Sequence, residues 1–236
     1  MIKFLTLLFV FITLSACGVK DESVKNDYTF KIEDPNGIGK WYMGREIASV
    51  MGFQGMEWLE RPEREAEENV TTLLKNMNIQ PGDTIADIGA GSGYHVFRMS
   101  PMAFKGHIYA VDIQAEMLNE IQSKKEKGNI DNVELVLSTE TSINLPENSV
   151  DKVLLVDVYH EFNYPKEMMQ SIKKALRPNG EIYLIEYRGE DFRVPIKKVH
   201  KMTEEQSVKE MKAAGFKLSR NLDNLPWQHC MVFVKS

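Results

Sequence analysis

The chain has 236 residues, a formal net charge of −5 and 43% hydrophobic residues, enough for one domain with a full core. An acidic chain with no basic run makes a poor nucleic-acid binder, so no nucleic-acid partner is expected. Its two cysteines, Cys17 and Cys230, exclude a cysteine-cluster zinc site, and no metal is expected.

Residues 1–16 form the first element. Lys3 supplies a positive start, Phe4 to Leu14 is apolar apart from two threonines, and Ser15-Ala16 precede Cys17. A basic start, an apolar core and small residues before a cut site describe a secretory signal peptide. The run is too short to cross a bilayer, which takes roughly 20 apolar residues. Leu14-Ser15-Ala16-Cys17 resembles the lipobox of bacterial lipoproteins, which implies a lipid on Cys17 and a chain held at the membrane of the cell envelope. Should the segment stay uncut, the protein would be cytoplasmic. An acylated Cys17 also leaves Cys230 without a disulfide partner.

Residues 17–38 are polar without a sustained period and read as a tether. Residues 39–62 are richer: Trp41, Tyr42, Phe53 and Trp58 stand among Met43, Met51 and Met56. The segment is too apolar for a linker and reads as an N-terminal helical cap, laid over a ligand or packed on the main domain, which spans 63–236.

From Glu63 the positions Ala66, Val70, Leu73, Leu74 and Met77 recur at helical spacing, and Pro81-Gly82 ends the helix. "TIADIG" (84–89) is a short apolar strand, and a helix is expected near Ser92. "HIYAVDI" (107–113) is a second strand, with Met117, Leu118 and Ile121 marking the helix after it. "NVELVLS" (132–138) and "VDKVLLVDV" (150–158) are the third and fourth strands. A helical face follows in Met168, Met169, Ile172, Ala175 and Leu176, and Asn179-Gly180 turns the chain into "EIYLIEY" (181–187). Thr203 and Gln206 have capping-box spacing for a helix ending at Gly215. "FKLSRNL" (216–222) and "CMVFVKS" (230–236) then lie close enough to pair as an antiparallel ribbon. Strands alternating with helices predict an α/β fold: a doubly wound, mostly parallel seven-stranded sheet with a C-terminal antiparallel ribbon.

Gly89, Gly91 and Gly93 in "ADIGAGSGY" follow a buried strand, where the backbone must turn sharply and a ligand must come close. The spacing is G-x-G-x-G; the dinucleotide fingerprint would need glycine where Tyr94 stands. Asp87 lies two residues before Gly89, and Asp112 closes the second strand 19 residues after Gly93, where a carboxylate can accept both ribose hydroxyls.

This acid, G-x-G-x-G and second-acid pattern resembles the class I S-adenosylmethionine-dependent methyltransferases, over roughly residues 63–236 and including the last-strand ribbon. The resemblance implies S-adenosyl-L-methionine as cofactor, a Rossmann-like fold and methyl transfer. It implies that Asp87, Gly89, Ala90, Gly91 and Gly93 cradle the methionine end, Asp112 binds the ribose and Ile113 lies against the adenine. Thr139 and Glu140 are the candidates for the adenine amine, and Asp157 is the cofactor-side residue of the fourth strand's end. The motifs "DVYHEF", "EYRGED" and "LPWQH", with the 39–65 segment, resemble an exported subgroup of bacterial methyltransferase-like proteins.

Ligands of open α/β sheets bind beyond the carboxyl ends of the strands. There the fourth strand presents Asp157, Tyr159, His160 and Glu161, and the fifth presents Glu186. His160 is the expected general base, with Tyr159, Glu161 and Glu186 as catalytic candidates beside it. His200 is an outside candidate. A small-molecule acceptor is expected. Two other readings stay open: a non-catalytic binding module on the same fold, and an NAD-dependent oxidoreductase.

Overall fold

The computed structural model describes residues 27–236; the signal segment, Cys17 and the first part of the tether lie outside the described residues. The main sheet has seven strands. They are β4 (Thr84–Ile88), β5 (His107–Asp112), β6 (Val133–Leu137), β7 (Val150–Val156), β8 (Leu176–Tyr187), β9 (Phe216–Asn221) and β10 (Gln228–Lys235), in the order β6-β5-β4-β7-β8-β10-β9. All pairings are parallel except the two made by β10, which runs antiparallel between β8 and β9.

Both faces of the central strands are buried, which is why these strands are nearly continuous apolar runs. Ile85, Leu154, Tyr183, Ile185, Cys230 and Val232 pack on one face with α3 (Val70–Met77), α4 (Val96–Met99) and α5 (Ala115–Gly128). Ala86, Ile88, Val153, Leu155, Leu184 and Phe233 pack on the other with α6 (Pro165–Ala175) and α7 (Glu204–Ala213). The chain enters at β4 in the middle, runs outward to β6, and returns to β7 beside β4. Strand order therefore reverses between β4 and β7, and the loops after those two strands diverge to leave a crevice.

Five local expectations differ from the structure. Residues 39–62 are not a helical cap: β2 (Gly37–Tyr42) and β3 (Arg45–Ala48) form a hairpin through Met43 and Gly44, at φ 50° and 96°. Positive φ at both central residues is the geometry that matches hairpin twist. Helix there is confined to a 3₁₀ turn at 53–55 and α1 (Met56–Leu59). The tether is also shorter, since β1 (Tyr28–Phe30) pairs with β2 to complete a three-stranded antiparallel sheet. Third, the helix from Glu63 is two helices, α2 (Arg64–Glu68) and α3, because Asn69 turns left-handed at φ 53° and its side chain caps the Thr72 amide. Fourth, α4 begins at Val96 rather than near Ser92, after the glycine loop has finished turning. Fifth, Asn179-Gly180 makes a bulge inside β8, not a turn before it: Leu176 pairs with Val150 and Glu181 with Lys152. Thr203 does cap α7 through the Gln206 amide at 3.1 Å, while the Gln206 side chain goes to Met43 and Glu210 instead of closing the box.

The small sheet is pinned onto the main domain by charge and aromatic contact. Arg45 donates to both Glu210 oxygens at 2.9 and 3.0 Å and to the His160 carbonyl at 3.0 Å. The Tyr28 hydroxyl donates to Glu167 at 2.5 Å, and the Lys40 ammonium sits 3.3 Å from the Tyr164 ring centroid. No helix among the described residues is long and apolar enough to cross a membrane.

Candidate active site

A cavity of about 480 Å³ opens beyond the carboxyl ends of β4, β5, β6 and β7. Gly89 and Gly91 line it after β4, Asp112, Ile113 and Gln114 after β5, and Thr139 and Glu140 after β6. Asp157, Val158, His160 and Glu161 line it after β7, and Val50, Met51, Trp58 and Leu59 bring the N-terminal segment over it. Gln114 holds that segment down, accepting from the Phe53 amide at 2.8 Å and donating to the Met51 carbonyl at 3.0 Å.

At the glycine loop, Gly89 and Gly91 sit at φ 73° and 55°, a region side chains disfavour. Space is closed as well: a Cβ would lie 2.5 Å from Val158 Cγ2 at Gly89 and 2.6 Å from Leu59 Cδ1 at Gly91. Gly93 and Ala90 lie behind the cavity surface, and a Cβ on Gly93 would meet Phe97 at 2.8 Å. Asp112 accepts the Gly91 and Gln114 amides, both at 2.9 Å, one on each carboxylate oxygen. Burial raises its pKa, and those backbone donors hold the rise in check.

Two further acids stand at the ends of β4 and β7, Asp87 behind the cavity surface and Asp157 on it. Asp87 is buried, its Oδ2 finds no partner, and burial lifts its pKa to about 7 against the opposing pull of Arg64. Asp157, at φ 50°, accepts from Gln228 at 2.6 Å on Oδ2 while Oδ1 stays unpartnered. Burial, then Glu68 and Glu186, push its pKa well up.

At the far end His160 is buried between two groups. Its Nδ1 lies 2.6 Å from Glu186 Oε2 and its Nε2 lies 3.2 Å from His200 Nδ1. Burial depresses the imidazole, but the Glu186 carboxylate overcomes that and holds its pKa above the ordinary value. Burial and neighbouring His160 lower His200 to about 4. Glu161, which accepts the Met51 amide at 3.2 Å, is raised to about 7 by burial.

Two catalytic candidates are displaced from the cavity. Tyr159 is fully buried and its hydroxyl donates to Glu210 at 2.9 Å, away from the cavity wall. Glu186 is also fully buried and reaches the cavity only through His160. Conversely, His200 joins His160 across 40 residues of sequence. Sequence reasoning missed Gln114, Leu59 and Arg64 on the cavity wall. Only the position of Gln114, two residues past Asp112, pointed to the site.

Comparison with known proteins places this architecture. The family described as a methyltransferase domain matches residues 79–229. The uncharacterized methyltransferase YdaC of Bacillus subtilis is 29% identical over 155 residues, covering 64% of this chain and 82% of that protein. An uncharacterized methyltransferase-like protein of Schizosaccharomyces pombe is 34% identical over 122 residues, which is 50% of this chain and 43% of that one. A SAM-dependent methyltransferase from Aquifex aeolicus superposes with a TM-score of 0.73 at 25% identity, covering 78% of this chain and 98% of its own. The family match runs from just before β4 to the first residues of β10, taking in the other six strands of the main sheet, and on it the chain belongs to the methyltransferase domain family.

Proposed function

We propose that this methyltransferase, whose cofactor is S-adenosylmethionine, acts on a small-molecule acceptor and is held at a membrane by a lipid on Cys17. The observation that carries the acceptor class is the cavity itself. At about 480 Å³ it is of the size that takes a cofactor or a small ligand, and the chain is acidic with no basic run for nucleic acid.

The residues present fit the cofactor. Gly89 and Gly91 line the cavity where a side chain would collide with Val158 or Leu59, and Asp112 presents a carboxylate whose oxygens keep lone pairs beyond their backbone bonds. Ile113 offers an apolar surface that is 42% exposed. Asp157 lines the cavity and keeps Oδ1 without a partner, a polar atom that a bound ligand can meet. When bound, the cofactor supplies a methyl group on a sulfonium for in-line displacement.

The chain's own residues then have separate tasks. The glycine loop and Asp112 hold and orient, and the roof from Val50 to Leu59 excludes water. The His160–Glu161–His200 cluster, backed by Glu186, activates the acceptor's nucleophile at the other end.

Calorimetry of the protein with S-adenosylmethionine, S-adenosylhomocysteine and NAD tests the cofactor side; binding of NAD alone would defeat the reading. Mass spectrometry of the mature N-terminus tests the anchor. An acylated Cys17 is expected, and an intact Met1 would make this a cytosolic enzyme.

A further inference from the structure

We propose that His160, Glu161 and His200 form a binding site for one divalent cation of the zinc class at the acceptor end of the cavity. The three donor atoms come from two places in the fold, His160 and Glu161 from the 3₁₀ turn after β7 and His200 from the 3₁₀ turn at 198–200. His160 Nε2 and His200 Nδ1 are 3.2 Å apart, and Glu161 Oε1 lies 3.9 Å from the first and 3.7 Å from the second. A triangle with those edges has a circumscribed radius of about 2.1 Å, so one point lies at a zinc–nitrogen distance from all three atoms. Two imidazoles and a carboxylate, with a fourth position open to a cavity, form the donor set of a catalytic zinc site.

The surroundings are those of ligands held ready. Glu186 Oε2 at 2.6 Å from His160 Nδ1 fixes the proton on that nitrogen and leaves the Nε2 lone pair toward His200. A carboxylate behind a ligating histidine is the usual outer partner that sets tautomer and ring orientation. Arg45 ties down the His160 carbonyl, and the Met51 amide steadies Glu161. The 3.2 Å approach of the two ring nitrogens is satisfied either by an Nδ1–H of His200 donating to His160 Nε2 or by a cation that both nitrogens ligate. Glu186 is a buried carboxylate and Glu161 a partly buried one; of the cations nearby, Arg45 is already paired with Glu210, and the Lys197 ammonium faces His200 opposite Asp34.

The site rests on the methyltransferase reading only for its fourth ligand, an oxygen or sulfur of the acceptor. A cation there makes an O–H or S–H more acidic, as it does for bound water, whose pKa falls from 15.7 to about 7 on zinc.

The test uses the full chain, stripped with chelator, dialysed against Zn²⁺ and assayed for metal by mass spectrometry, with Co²⁺ absorption reporting coordination. One equivalent of zinc and a four-coordinate cobalt spectrum are expected. His200→Ala and Glu161→Gln should each weaken zinc binding at least tenfold, and Glu186→Gln roughly 10–100-fold through loss of the outer partner, all with an unchanged circular dichroism spectrum. Wild-type protein without stoichiometric zinc, or a folded His200→Ala that binds zinc as tightly, overturns the site. S-adenosylmethionine binding is measured on the same samples. Zinc without cofactor would defeat the methyltransferase reading and leave the metal site standing; cofactor without zinc would do the reverse.

Discussion

Asp112 Oδ2 accepts the Gly91 amide at 2.9 Å, tying the end of β5 to the middle of the glycine loop. The same carboxylate takes the Gln114 amide on its other oxygen, so one side chain shapes both loops that meet the cofactor cavity.

Asp112→Ala is expected to weaken S-adenosylmethionine binding by at least tenfold, since hydrogen bonds to a charged group contribute about 1.5–3 kcal/mol each. Asp112→Asn keeps an acceptor and should fall between. Calorimetry reads both, and an alanine variant that binds like wild type would refute the ribose role.

Gly91→Ala places a Cβ at φ 55° and 2.6 Å from Leu59 Cδ1. The left-handed backbone alone costs about 1–2 kcal/mol, and the displaced Leu59 would disturb the roof. Lower stability and weaker cofactor binding are expected, with Leu59→Ala in the same chain recovering part of the stability. Full stability in the single variant would show that the loop relaxes freely.

Arg45 and Glu210 form a buried ion pair, with side chains 9% and 0% exposed. Removing one partner strands the other charge, which costs about 3–5 kcal/mol. Arg45→Leu should lower unfolding stability by that order and release the β2–β3 hairpin to faster amide exchange. A change within about 1 kcal/mol would mean the pair is not needed to dock the small sheet.

Asp87 gives a pH signature. Its folded pKa, about 7, lies above the unfolded value, so between about pH 4 and 7 the native state binds more protons than the unfolded chain. Its contribution therefore declines as pH rises through that window, by a few kcal/mol at about 1.4 kcal/mol per unit. Asp87→Asn should match wild type near pH 4 and be more stable at pH 8 without cofactor. Parallel stability–pH curves for the two proteins would show that Asp87 is ionised at little cost.

The seven-stranded sheet was legible because its evidence is local. Strands such as Val153–Leu155, and Ile85–Ile88 apart from Asp87, are buried on both faces and read as apolar runs. The G-x-G-x-G turn and Asp112 were legible because a sharp turn and a strand-end acid are written in adjacent residues. The hairpin at 37–48 was not: Trp41, Tyr42 and Met43 suggested a helical cap, and only the positive φ at Met43 and Gly44 and the Arg45–Glu210 pair, 165 residues apart, decide for strands. The acceptor end was hidden for the same reason. Tyr159 and His160 are neighbours in sequence, yet one hydroxyl turns to Glu210 and the other ring to Glu186 and His200. Which way adjacent side chains point at the end of a strand is set by packing partners from distant elements, so periodicity determined the scaffold and tertiary contact alone assembled the cluster.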